Sequence, residues 1–185
     1  LMVKQTNDLM LCIIFVVSLA CLFLFQLISP IFSPNSTEKV PIQNKPQSVQ
    51  KLITSDAEWR KHLSAEQYVV MRQHGTEPAF SGLYHDFTGK GTYVCAACNL
   101  PLFSSNDKYD SKTGWPTFTK PINPENVWYQ DDGLLFKNKT EVLCSRCDSH
   151  LGELLESGPA PLKKQYRINS IALKFIEEKP AEKAK

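Results

Sequence analysis

The sequence predicts a mainly β domain with a minor α component, in which two short helices precede a series of short antiparallel strands. Beyond Pro78, brief apolar runs such as GTYVCAAC, GLLF, TEVLC, QYRIN and SIALKFI alternate with Gly, Pro, Asn and Asp. This rhythm is typical of antiparallel β structure. Two helix-start signals come before it, and two CxxC pairs follow strand-like runs. We therefore expect one small domain over residues 54–178 of the 185-residue chain.

An apolar run at residues 9–29, LMLCIIFVVSLACLFLFQLIS, contains no charged residue. About 20 such residues match the bilayer hydrocarbon thickness as a helix, so residues 1–29 predict a segment with a transmembrane anchor and a single-pass membrane location. A cleaved signal peptide is the alternative, but its apolar region usually has only about 7 to 15 residues. Lys4 on one side and Lys39 and Lys45 on the other leave orientation and compartment open, with the secretory pathway as one option.

Two further segments outside the domain are polar. Residues 30–53 are rich in Pro, Ser, Asn and Gln and carry too little apolar surface to order themselves, so we expect a disordered stalk. Residues 179–185, rich in Lys and Glu, predict a solvated tail. Sequons begin at Asn35 and Asn138, and they would accept glycans in a lumenal domain.

The two helices are expected between Thr54 and Gly75. Ser55 is followed three residues later by Glu58, and Ser64 by Gln67, which is the pattern of a capping box at each helix start. Gly75 is the expected end of the segment.

The charged residues give a formal net charge of +2 and a sequence pI near 8.2. They are interspersed along the chain and form no basic stripe that would neutralise phosphates. Nucleic acid is therefore not the expected partner.

The cysteines divide into two groups, since Cys12 and Cys21 lie in the apolar run. The others form two CxxC pairs, which together supply four soft donors for tetrahedral zinc: Cys95, Cys98, Cys144 and Cys147. A redox-active CxxC is the alternative, but it usually occurs singly at the start of a helix. Because four cysteines leave no coordination position for water, we expect the zinc to be structural.

Five segments follow one another in order from Gly75 to Phe175: GTEPAFSGLY, YVCAACNLPLFSS, KYDSKTGWPTF, CSRCDSHLG and YRINSIALKF. Together they resemble the peptide methionine (R)-S-oxide reductase family, MsrB, across essentially the whole predicted domain. The resemblance implies two antiparallel β-sheets with short N-terminal helices, and zinc bound by the paired CxxC motifs away from the active site. Enzymes of this kind repair one epimer of methionine sulfoxide.

The resemblance also implies an active site. The family uses a cysteine thiolate that attacks the sulfoxide sulfur, an acid that protonates the departing oxygen, and an aromatic pocket for the substrate methyl group. Trp115, in GWPTF, matches the pocket tryptophan. His150, in DSHLG, matches the first of two active-site histidines, and Asn169 matches the polar residue two places after the nucleophile. These three are the expected substrate-binding residues.

The sequence departs from the family at the two positions that carry the chemistry. Family members have cysteine or selenocysteine where this chain has Arg167, in QYRINS, and a second histidine where it has Glu153, in HLGE. An arginine stays protonated and cannot attack sulfur, so the family mechanism loses its first step. Because the two family positions face each other, we expect Arg167 and Glu153 to form a partly buried ion pair.

The sequence therefore carries three functional hypotheses. The first is a membrane-anchored MsrB domain that acts on the R epimer of methionine sulfoxide with a thioredoxin-type reductant, a mechanism that Arg167 and Glu153 predict to be impaired or lost. The second is a zinc-stabilised pseudoenzyme that binds methionine, methionine sulfoxide or a partner protein without reducing it. The third is a structural module whose pocket is filled by the ion pair.

Overall fold

A computed structural model describes residues 45–131, 140–157 and 163–179. Two short helices, α1 (Asp56–His62) and α2 (Ala65–Arg72), precede the strands, as predicted. The strands are β1 (Gly91–Cys95), β2 (Pro101–Ser104), β3 (Lys108–Tyr109), β4 (Thr117–Phe118), β5 (Val127–Asp131), β6 (Thr140–Cys144), β7 (His150–Leu155), β8 (Gln165–Ile168) and β9 (Leu173–Glu177). Single 3-10 turns occupy Ser105–Asp107, Pro124–Asn126 and Ser170–Ala172.

The strands form two antiparallel sheets, which confirms the predicted fold class. One sheet has the strand order β2-β1-β9, and the other has the order β3-β4-β8-β7-β6-β5. Every strand pair is antiparallel. The strand-like run at 133–136, GLLF, lies outside the described residues.

The helix starts follow the sequence signals with one correction. At α2 the full capping box is present, because Ser64 accepts from the Gln67 amide and the Gln67 side chain accepts from the Ser64 amide. At α1 Ser55 accepts from the Glu58 amide, but the reciprocal bond predicted there does not form. The Glu58 carboxylate instead binds Lys61 one turn later at 2.6 Å. An i,i+3 ion pair therefore replaces half of the box.

Aromatic side chains fill the space between the two sheets. Phe103 of β2 stacks on Phe118 of β4, with ring centroids 4.5 Å apart. Tyr93 of β1 meets the same Phe118 edge-on at 5.1 Å, and Phe103 also lies 5.8 Å from Tyr166 of β8. Offset and edge-on pairs of this kind add about 0.5–1.5 kcal/mol each beyond the area that they bury. This cluster fixes the side of β4 and β8 that faces the core.

The segment before α1 has neither helix nor strand over residues 45–53, but it contacts the domain. Ser48 donates to Glu125 at 2.8 Å, and Lys45 forms an ion pair with Asp148. The rest of the predicted stalk, the anchor at 9–29 and the tail beyond residue 179 lie outside the described residues. In the part of the chain that the structure describes, no helix is long and apolar enough to cross a bilayer.

Candidate active site and zinc centre

The two CxxC pairs lie at the turns of two hairpins, one in each sheet. Cys95–Cys98 leads from β1 towards β2, and Cys144–Cys147 leads from β6 towards β7. Both turns close in the same way, since the first cysteine's amide donates to the carbonyl five residues later, at 2.9 and 3.0 Å. The residue after the second cysteine, Asn99 or Asp148, has a positive φ of 59° or 56°. Asn and Asp tolerate this left-handed conformation better than most residues.

The sulfur positions fit zinc. The Sγ atoms of Cys95 and Cys147 are 3.7 Å apart, those of Cys98 and Cys144 are 3.5 Å apart, and all four lie within 4.8 Å of one another. A tetrahedral ion with Zn–S bonds of about 2.3 Å requires S–S separations of about 3.8 Å. The four cysteines therefore form a zinc-binding site. Because each sheet supplies one hairpin, the metal joins the two sheets, and four thiolates complete its shell.

Backbone carbonyls around the second turn receive donors from distant parts of the chain. Lys51 donates to the Ser145 carbonyl at 2.5 Å, and the Leu52 amide donates to the Arg146 carbonyl at 2.8 Å. The Arg146 guanidinium reaches the Cys98 carbonyl at 3.2 Å and so bridges the two turns. The bonds from Lys51 and Leu52 hold the segment before α1 against the zinc centre.

A row of ionisable residues crosses one face of the larger sheet. Arg167 on β8 is the direct cross-strand partner of Glu153 on β7, which in turn pairs with Glu141 on β6. Cross-strand partners share a face, and successive side chains alternate between faces. Tyr166 and Ile168, which flank Arg167, are buried on the opposite face, towards the aromatic core. The row therefore lies on the side of the sheet away from that core.

Arg167 binds Glu153 in a hydrogen-bonded ion pair, as predicted from the sequence. The side chains are 25% and 18% exposed, so the pair is largely shielded from water. The guanidinium carbon also lies 4.8 Å from the centre of the Trp115 ring, within cation–π range. The arginine is thus held by a carboxylate and by an aromatic face.

Trp115 and Asn169 are fixed by a chain of hydrogen bonds. The Trp115 indole N–H donates to the Glu77 carbonyl at 3.1 Å, and the Glu77 amide donates to the Asn169 side-chain oxygen at 3.1 Å. The Asn169 amide nitrogen donates to the Leu151 carbonyl, also at 3.1 Å. Asn169 is therefore a buried connector between the Trp115 loop and strand β7.

Glu77 was not identified by the sequence analysis, although it lies in the GTEP segment. Its buried carboxylate accepts the amides of Ser170 and Ile171 at 2.6 and 2.9 Å, at the start of the 3-10 turn that follows Asn169. Burial raises the pKa of Glu77 above its ordinary value, and the two backbone hydrogen bonds offset only part of that effect. Glu77 thus holds the segment that carries Asn169.

His150 is buried beside Glu141, which it contacts through Nδ1, and His74 contacts the same Glu141 oxygen at 2.5 Å. Burial acts to raise the pKa of Glu141, but the hydrogen bonds from the two histidines outweigh it and hold that pKa below its usual value. Sequence reasoning missed Glu141 and His74, because nothing in their spacing links them to His150.

The space beside the ion pair is small. A cavity of about 10 Å³ is lined by Thr76, Trp115, Gly152, Glu153, Arg167 and Asn169. That is roughly the space needed for one water molecule, about 10–15 Å³. Gly152 is confined as well, because a Cβ there would lie 2.1 Å from the Arg167 carbonyl oxygen. Of the three residues predicted to bind substrate, Trp115 and Asn169 line this cavity together with Arg167, whereas His150 is not among its lining residues and contacts Glu141 instead.

A larger groove of about 670 Å³ adjoins this cavity, and Thr76 lines both. Its walls come from α2, from the segment that follows it and from the 3-10 turn after Asn169, and are mostly apolar: Val69, Val70, Pro78, Leu83, Tyr84 and Ile171. Val69 and Leu83 are 48% and 81% exposed. The groove can receive an apolar chain segment.

Two antiparallel sheets joined by a four-cysteine clamp define a zinc-stabilised β domain. Residues 63–177 match the SelR domain family. The chain is 51% identical over 124 residues to the peptide methionine sulfoxide reductase MsrB of Methanosarcina barkeri, covering 67% of this chain and 87% of the relative. It is 48% identical over 124 residues to the MsrB of Leptospira interrogans, covering 67% of this chain and 95% of the relative. The chain therefore belongs to the SelR-domain family, the MsrB methionine sulfoxide reductases.

Proposed function

We propose that this chain is an MsrB-family domain that retains the zinc scaffold but has lost reduction of methionine sulfoxide through a cysteine thiolate. The observation that carries the proposal is the Arg167 guanidinium, which is paired with Glu153, packed over Trp115 and leaves a cavity of about 10 Å³. A methyl sulfoxide group is larger than the single water that such a cavity holds. Arg167 therefore removes both the nucleophile and the space for the substrate.

No neighbouring thiol replaces the missing nucleophile in this proposal. Throughout residues 45–131, 140–157 and 163–179, each cysteine is one of the four zinc ligands. A thiolate bound to zinc is a poor nucleophile for attack on sulfur. Withdrawing one of the four from the metal would open the clamp between the sheets. A thioredoxin-type reductant then has no sulfenic acid or disulfide to reduce, so it is a partner only if turnover remains.

The test is reduction of a peptide that contains methionine-R-sulfoxide, driven by dithiothreitol, with the full chain in a non-ionic detergent. We expect no turnover by the unchanged protein and measurable turnover by the double variant R167C/E153H. Zinc content should be equal in both, which would show that the scaffold is intact. Turnover by the unchanged protein at the rate of the double variant would overturn the proposal.

A second candidate function is binding without reduction, in which a methionine-containing segment of a partner protein lies in the apolar groove. The groove supports it because exposed Val69 and Leu83 line a surface that continues through Thr76 to the Trp115 side chain. Calorimetry with an apolar peptide in its methionine and sulfoxide forms tests this candidate. We expect L83D to weaken binding and K61A, an exposed change on α1, to leave it unchanged. Equal binding by both variants would exclude the groove.

The apolar run at 9–29 is proposed to place this domain at a membrane. Its length and lack of charge support the proposal. Extraction of the expressed chain from membranes at alkaline pH tests it, since an anchored chain stays with the lipid. A glycan at Asn138 would in addition place the domain in the lumen. Release of the intact chain into the soluble fraction would contradict the anchor.

A further inference from the structure

Two imidazoles and one carboxylate converge beside strands β6 and β7 of the larger sheet. The Nδ1 atoms of His74 and His150 both meet Oε1 of Glu141, and the three ligand atoms lie within 4.8 Å of one another. Glu141 is 8% exposed and His150 is 5% exposed, whereas the His74 side chain is 56% exposed. The cluster is thus a buried pair with one accessible histidine at its mouth. We propose that these three residues form a second metal site, for a divalent transition-metal ion, separate from the four cysteines.

The backbone at His74 supports this assignment. Helix α2 ends at Arg72 with Gln73 as its C-cap, and His74 follows with a φ of 58°, the left-handed position at which glycine is the usual residue. The Gly75 amide then closes the helix end on the Val69 carbonyl at 3.0 Å. A residue with a Cβ costs about 1–2 kcal/mol in this conformation. Helix termination alone would favour glycine at position 74, and the histidine instead contributes its imidazole to the cluster.

The donor set suits a borderline metal ion. Two imidazole nitrogens and one carboxylate oxygen are ligands of Zn²⁺, Co²⁺ and Ni²⁺, and three protein ligands leave a position for water. Zinc bonds of about 2.0–2.2 Å would set the ligand atoms about 3.3 Å apart. His74 Nδ1 lies 2.5 Å from Glu141 Oε1, and His150 Nδ1 contacts the same oxygen, so both imidazoles must move away from that oxygen by under about 1 Å to admit the ion. Each imidazole then binds through the Nδ1 lone pair and carries its proton on Nε2.

Charge in the neighbouring row favours a cation at this place. Glu141 is the direct cross-strand partner of Glu153, so two carboxylates share one face of the sheet. Arg167 pairs with Glu153 at one end of the row. A divalent ion bound to Glu141 would neutralise the charge of that carboxylate, as Arg167 neutralises that of Glu153. The repulsion between the two carboxylates would then be smaller.

The experiment is a titration of the full chain, with zinc already bound and in a non-ionic detergent, with Co²⁺ followed by calorimetry and absorption. We expect one further equivalent to bind with weak ligand-field absorption and no sulfur-to-metal charge transfer, because no thiolate takes part. H74A should weaken this binding by at least about tenfold, since His74 is a direct ligand and loss of an outer-shell partner alone already costs about 10–100-fold. H62A, which changes an exposed histidine on α1, should bind cobalt as the unchanged protein does.

Because His74 is exposed, H74A should keep its fold, and its zinc content and thermal midpoint check this directly. Failure of the protein to take up cobalt beyond its zinc, equal uptake by H74A, or the appearance of thiolate charge transfer would each overturn the proposal. The last outcome would show that cobalt enters the four-cysteine site and not the histidine cluster.

Discussion

Replacement of Arg167 by alanine tests how much the buried ion pair contributes to stability. At an effective dielectric constant near 20, two unit charges in contact attract by about 4 kcal/mol, whereas exposed pairs contribute only about 0.2–1 kcal/mol. The Arg167 and Glu153 side chains are 25% and 18% exposed, so most but not all solvent screening is removed. Loss of the contact with Trp115 adds about 0.5–1 kcal/mol. We expect R167A to lower the free energy of unfolding by about 2 kcal/mol.

The chain supplies a matched control. Arg60 also pairs with a carboxylate, Asp56, at 2.9 Å and also lies over an aromatic ring, Tyr68, at 4.0 Å. Its side chain is 56% exposed and its ion pair is screened by solvent, so R60A should destabilise the domain less than R167A does. Arg146 is a poorer control, because it donates to the Cys98 carbonyl beside the zinc centre.

The assay is urea unfolding of zinc-loaded protein for R167A, E153Q and the double variant. Their cycle should give a coupling of about 1–2 kcal/mol, well above the scatter of about 0.3–0.5 kcal/mol between independent sites. A coupling within that scatter, with R167A no more destabilising than R60A, would refute the reasoning.

Three further changes test the framework around this pair. Removal of zinc by a chelator should abolish cooperative unfolding as followed by near-ultraviolet circular dichroism, because structural zinc contributes about 10–16 kcal/mol of apparent binding energy in small domains. An unchanged urea midpoint without metal would contradict the clamp. Glu77 has a raised pKa, so its contribution to stability is fully present below its unfolded value of about 4.5 and is lost as pH rises through the folded pKa. The stability difference between the unchanged protein and E77Q should therefore shrink as the pH rises from about 4.5 through the folded pKa of Glu77. A difference that grows with pH would contradict this expectation. G152A should lower the unfolding midpoint more than G89A. The Cβ of G152A would meet the Arg167 carbonyl oxygen at 2.1 Å, and that contact cannot relax without moving strand β8. At Gly89 the nearest atoms belong to the Phe87 side chain, at 2.5 Å, and a side chain can move aside. Equal midpoints in a thermal melt would show that β7 and β8 can separate freely.

The sequence predicted the parts of this protein that depend on local pattern. Ser64 and Gln67 form a complete capping box because both partners lie within one helical turn. Glu58 was predicted to do the same, but a lysine one turn away competes for its carboxylate. A local pattern shows which capping hydrogen bonds can form. Which of several competing donors a carboxylate binds depends on where the neighbouring side chains lie.

The site shows the same division. Trp115, Asn169 and the pairing of Arg167 with Glu153 were accessible from the resemblance and from charge complementarity. Glu77, Glu141 and His74 were not, since their partners lie 93, 9 and 67 residues away in sequence. Hydrogen bonds between distant segments depend on how those segments pack in the tertiary structure, which no local pattern encodes.

The sequence by itself determined which four cysteines can bind zinc and that position 167 has no nucleophilic thiol, because both depend only on which residue types are present. Only the tertiary structure decided what they mean together. Folding places one CxxC turn on each sheet, so the metal becomes a clamp between them. Strand pairing places the guanidinium beside Glu153 and over Trp115, and the free space there follows from the packing of side chains that are remote in sequence.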